Sequence, residues 1–228
     1  MNRYAPELAL VAGGLLGTVF GGFVLVSVGE FYSAAVVGAV FGYPFAAYAV
    51  HTDPDPTTVL PPGPIVAIGG LLAAGILVDV VRLFSPTAST LLFGLPFALG
   101  VFLPLAAYAA RYGSPPRWLS PRRVEWGCTA VAVGLLAAGI AAGAAVTGSA
   151  SALLVYLAGG LFATRPAVDG TSHSRRRLVA GLIVAAGLLT AGVAVGGPLD
   201  PWVTTALAAI FGPLLVAART APVGGRTA

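Results

Sequence analysis

Gly69-Gly70-Leu71-Leu72-Ala73-Ala74-Gly75-Ile76-Leu77-Val78-Asp79-Val80-Val81-Arg82 is the stretch that decides the fold. It belongs to an apolar run from about 64 to 84, long enough to cross a hydrocarbon layer of ~30 Å, which takes ~20 residues of helix. A turn near Ser85-Pro86 follows. A second run, about 87–110, then closes on Pro104-Leu105-Ala106-Ala107-Tyr108-Ala109. Two such runs joined by so short a turn read as a helical hairpin lying in a membrane.

The same plan recurs along the chain. A Gly-Leu-Leu step stands at Gly14-Leu15-Leu16, Gly70-Leu71-Leu72, Gly134-Leu135-Leu136 and Gly187-Leu188-Leu189, at intervals of 56, 64 and 53 residues. The last three extend to Gly-Leu-Leu-x-Ala-Gly, ending at Gly75, Gly139 and Gly192. Pro-x-Ala-Ala-Tyr-Ala occurs at Pro44–Ala49 and again at Pro104–Ala109. Self-similarity at a nearly constant interval is the mark of an internal repeat. Because a hairpin returns to its starting side, these repeats are parallel, unlike the inverted halves of many transporters.

Eight apolar runs result, at about 8–28, 31–50, 64–84, 87–110, 124–147, 149–165, 178–196 and 201–218, the sixth being the shortest. The expectation is an all-α integral membrane protein, a single polytopic domain of four hairpins over 1–228. Composition agrees: 57% of residues are hydrophobic, 9% are charged, and the mean hydropathy is +0.93. These values lie outside the soluble range. All 12 basic residues are arginine, Asn occurs only at Asn2 and Gln is absent, which suggests a GC-rich prokaryotic genome. Without lysine there is no Schiff base for retinal. The lone Cys128 excludes an internal disulfide and reads as a small packing residue.

The arginines fix the orientation. With eight spans, Arg3, Arg111, Arg117, Arg122, Arg123, Arg165, Arg175, Arg176, Arg177, Arg219 and Arg226 fall on the side of the N-terminus, and Arg82 alone falls opposite. Positive loops stay inside, so both termini are expected in the cytoplasm, in a prokaryotic plasma membrane. Arg117, Arg122 and Arg123 near Trp118 and Trp126, and the run Arg175-Arg176-Arg177, suit anionic headgroups or a docking partner. No nucleic-acid-reading motif accompanies the charge.

Within the spans, small residues at four-residue spacing mark close helix contacts: Gly13, Gly17 and Gly21 in the first, Gly38 and Gly42 in the second, Gly139 with Gly143 in the fifth. Pro44, Pro96, Pro104 and Pro213 should kink their helices and free the carbonyls of Val40, Leu92, Gly100 and Ala209. Asp79 and Arg82 share a helical face with Gly75 and read as an intramembrane pair that neutralises itself. It is either a structural ion pair or a proton- or cation-linked site. His51, Asp53, Asp55 and His173 lack any pattern that would fix a metal, and no nucleophile has a spanning histidine beside it. No cofactor, metal site or catalytic residue is therefore expected. The favoured function is a non-enzymatic membrane subunit or scaffold that packs against lipid, other subunits or a second copy of itself. The alternative is a transporter or channel for a small or weakly polar solute.

Overall fold

The computed structural model describes residues 4–114, 120–163, 170–195 and 198–220, with the backbone alone for 161, 163, 170–178, 180 and 213–220. These residues form eight helices and no strand: α1 (Ala5–Val28), α2 (Phe31–Thr52), α3 (Pro62–Leu83), α4 (Ala88–Tyr112), α5 (Pro121–Ala141), α6 (Ala145–Ala163), α7 (Gly170–Val195) and α8 (Asp200–Thr220). By length and composition, α1 to α5 can each cross a membrane, while α6 and α7 carry the shorter apolar stretches Ala145–Gly160 and Gly181–Val195. The fold class is thus all-helical, with several helices of membrane-spanning character.

Local chemistry sets the helix ends. Gly29 takes the left-handed conformation at φ 79° and its N–H returns to the Leu25 carbonyl, which stops α1. Only glycine occupies that region without a steric penalty. Thr87 caps α4 by accepting the Thr90 N–H at 3.2 Å, and Ser120 caps α5 by accepting the Arg123 N–H, the usual task of a short hydroxyl at this position.

One boundary differs from the sequence expectation. The break between the fifth and sixth helices falls at Ala142–Ala144, not at Gly148-Ser149. Gly143 adopts φ 66° there, and nothing lies within 4 Å of where its Cβ would stand. Gly143 is therefore a turn residue and not the packing residue its spacing suggested. Gly148 takes the packing role inside α6.

The chain divides into two compact units, Met1–Pro115 and Pro116–Ala228. In the first, α1 lies along α2 with their backbones almost touching. A Cβ on Gly17 would stand 2.8 Å from the Gly38 carbonyl oxygen, and one on Gly21 would stand 2.9 Å from that of Ala34. One on Gly13 would meet the Phe45 Cβ, and Gly38 and Gly42 face Gly17 and Gly13 from the other side. Phe20 stacks on Phe41 at the rim of this seam.

Next to it, α3 and α4 interlock through Gly69 under Leu105 and Gly94 against Val80. The core of this unit gathers Ile76, Ala98 and Val101 against Phe31, Tyr32 and Phe97. Phe93 meets Tyr32, Phe84 and Phe97 edge-on, the arrangement aromatic quadrupoles favour. The loop after α2 is pinned: the Tyr108 hydroxyl reaches the Leu60 carbonyl at 2.6 Å and that of Pro56 at 3.2 Å.

In the second unit, α5 meets α6 where Gly139 and Gly148 abut and where Cys128 fills the space over Gly159. The contact at Cys128 is the small apolar packing its burial suits. α7 meets α8 through the Trp202 ring on Gly192. α6 also packs on α8, with Tyr156 against Gly212 and a buried hydrogen bond from Ser149 to Thr205 at 3.3 Å.

Candidate functional site

Asp79 is the buried acid of the first unit, 8% exposed. Its setting follows from the α2 start. Glu30 stands at the N-cap, but its carboxylate accepts the Ser33 hydroxyl at 2.8 Å and no backbone N–H. The first turn of any helix leaves N–H groups without internal acceptors. Here α3 supplies one: Asp79 Oδ2 accepts the Tyr32 N–H at 3.0 Å, across 47 residues of chain. A carboxylate at this point also meets the positive end of the helix dipole. Gly75, one turn earlier on the same face, makes room for the Phe31 ring. Gly75 and Asp79 together therefore receive the N-terminus of α2.

This arrangement corrects the expected pair. Arg82 is exposed, and Asp79 takes its hydrogen bond from a backbone amide. The carboxylate is stabilised by a helix end, so the fold does not require a cation beside it. Among the described residues, no group of three or more His, Cys, Asp or Glu side chains converges as a metal site would require.

The second feature is a groove of about 600 Å³ between α2 and α4. Val36, Val40, Tyr43 and Pro44 line one wall, and Pro96, Phe97, Gly100 and Val101 line the other. Three of the four expected kink prolines belong to these helices, Pro44 in α2 and Pro96 and Pro104 in α4. Proline brings no N–H, so Val40 and Gly100, four residues before Pro44 and Pro104, lose their helical donors. Both residues line the groove. Tyr43 spans it, donating its hydroxyl to the Val101 carbonyl. Pro213 lies within α8, with its side chain outside the described residues.

Five further hydroxyls in the helices are absorbed locally. Thr129, Ser151, Thr190, Thr204 and Thr205 each donate to the carbonyl one turn earlier, as hydroxyls in apolar helices commonly do. Arg122 and Arg123 are exposed in the first turn of α5, with Trp126 one turn on. Arg117 lies outside the described residues, and Arg175, Arg176 and Arg177 belong to α7 with their side chains undescribed.

Sequence reasoning missed the Tyr32 amide as the partner of Asp79. A backbone donor carries no residue signature, and only the weak N-cap at Glu30 hinted at one. It also missed Gly148 and the Cys128–Gly159 contact, where the signal was present as glycines opposite a small residue. No protein-family model, curated protein or solved structure matches the chain.

Proposed function

We propose that the chain is a non-enzymatic multi-pass membrane protein that serves as a membrane subunit or scaffold. The observation that carries this is the division of labour on α1. Its glycine stripe is used up against α2, while the opposite stripe of Leu8, Val11, Leu15, Val19 and Val26 is exposed. A wide, mostly apolar face, with the exposed Thr18 at its edge, suits lipid or the helix of another subunit.

In this reading all eight helices cross the bilayer as four hairpins, with both termini in the cytoplasm of a prokaryote. The lopsided arginines support that orientation. Internal duplication is supported by the glycines of the four Gly-Leu-Leu steps. Gly14, Gly70, Gly134 and Gly187 all face open space. It is supported too by the pairing of helices, since α1 packs on α2, α3 on α4, α5 on α6 and α7 on α8.

Purification from native membranes in a mild detergent, followed by intact-mass analysis, tests the scaffold. The expected result is a stoichiometric membrane partner, crosslinked by a photoreactive residue at Leu15 or Val19. A lone chain with only lipid crosslinked at both positions would overturn it.

The groove favours a second reading, a path or binding site for a small, weakly polar solute. Its apolar walls, the Tyr43 hydroxyl and two carbonyls without helical donors are the chemistry such a solute needs. On that reading Tyr43→Phe changes solute flux in liposomes while the protein stays folded. Unchanged flux in Tyr43→Phe removes the groove as the path.

A further inference from the structure

The exposed face of α5 is built differently from that of α1. It begins with Arg122 and Arg123, continues with Trp126 and Gly127, and runs on through Ala130 and Gly134, all exposed. Steps of three and four residues place these on one side of the helix. Trp126 is 67% exposed. No atom lies within 4 Å of a Cβ position at Gly127 or Gly134, whereas one at Gly139 would stand 3.1 Å from the Gly148 Cα of α6. The helix thus has one glycine face closed by packing and one left open beneath two arginines. Glu125, the one carboxylate in the first two turns, is half-buried and off the open face.

We propose that this face binds an anionic phospholipid, such as phosphatidylglycerol, from the cytoplasmic leaflet. The proposal rests on the reading that α5 crosses the bilayer. Two guanidinium groups at a helix N-terminus match a phosphate in charge and in fork geometry. Trp126 stands where indole rings gather, at headgroup level. Below it the Gly127-Ala130-Gly134 side offers a shallow apolar trough along the path of an acyl chain. A soluble phosphoryl group would use the arginines alone. The alignment of charge, indole and apolar trough in one line follows the layout of a lipid.

The test uses the full chain in nanodiscs, with Trp118→Phe and Trp202→Phe leaving Trp126 as the sole indole. Quenching by brominated phosphatidylglycerol is compared with quenching by brominated phosphatidylcholine. The anionic lipid is expected to quench at mole fractions where the zwitterionic one does not. Arg122→Ala with Arg123→Ala should reduce that preference by up to roughly 30-fold, from the attraction of two basic residues to an anionic surface. Raising the salt should reduce it in the parent protein, with no change to the fold.

Equal quenching by both lipids in the parent overturns the site. A preference that survives both substitutions and high salt overturns its assignment to the arginines. If neither lipid quenches Trp126, α5 lies outside the bilayer, and the reading that α5 crosses it fails with the proposal.

Discussion

Replacing Asp79 separates a helix cap from an ion pair. In Asp79→Ala the Tyr32 N–H, now 3.0 Å from a carboxylate oxygen, is left in a half-buried site without an acceptor. A hydrogen bond to a charged group contributes ~1.5–3 kcal/mol. Charge–dipole attraction at a partly buried helix end is the same interaction seen differently, up to ~2 kcal/mol, and is not added to it. The expected loss is therefore about 2 kcal/mol. Asp79→Asn keeps a neutral acceptor in place and should lose about 1 kcal/mol or less, the value of an ordinary hydrogen bond.

Arg82→Ala should change stability by no more than ~0.5 kcal/mol, as exposed positions do. Unfolding in detergent micelles gives the global values. Hydrogen exchange at the amides of residues 31–34 gives the local one, with Tyr32 exchanging roughly 30-fold faster in Asp79→Ala if its opening follows that 2 kcal/mol. If Arg82→Ala costs as much as Asp79→Ala, and the double variant costs no more than either, the two residues act as an ion pair and the capping account is wrong.

Three further outcomes are expected. Gly17→Val should destabilise the first unit by ~1–3 kcal/mol, because its Cβ would lie 2.8 Å from the Gly38 carbonyl oxygen. Gly14→Ala, in open space, should be neutral or stabilise by ~0.5–1 kcal/mol, and equal losses in the two variants in thermal unfolding would refute the seam. Gly159→Ala should be destabilising and partly rescued by Cys128→Gly, which removes the Cβ that it would strike at 2.4 Å. A double-mutant cycle in chemical unfolding reads that coupling, and strict additivity would exclude the contact. Tyr108→Phe removes the ties to Leu60 and Pro56 and should speed amide exchange across residues 53–61 while leaving α3 and α4 protected.

Much of the architecture was legible because apolar runs of ~20 residues leave few options but a helix. Boundaries were legible where a residue enforces them, as Gly29 does after α1. They were missed where several glycines compete. Gly139, Gly143 and Gly148 are alike on paper, and only the backbone dihedral at Gly143 shows that it is the one that turns. The stripe Gly13-Gly17-Gly21 announced a close contact, but the identity of its partner depends on the short Gly29-Glu30 connection and the matching Ala34-Gly38-Gly42 surface. The shared face of Gly75, Asp79 and Arg82 was also readable. What Asp79 meets was not, because its partner is a peptide N–H and every sequence position but proline has one.

The hydrogen bond from Tyr32 to Asp79 spans 47 residues, and this sets an order on biosynthesis. α1 and α2 leave the ribosome before α3 and can close their glycine seam at once. The opening turn of α2 still lacks its acceptor then, and gains it only when α3 has been made and delivered alongside. The first two helices are thus left half-finished by design of the chain, and their completion reports that the third has arrived.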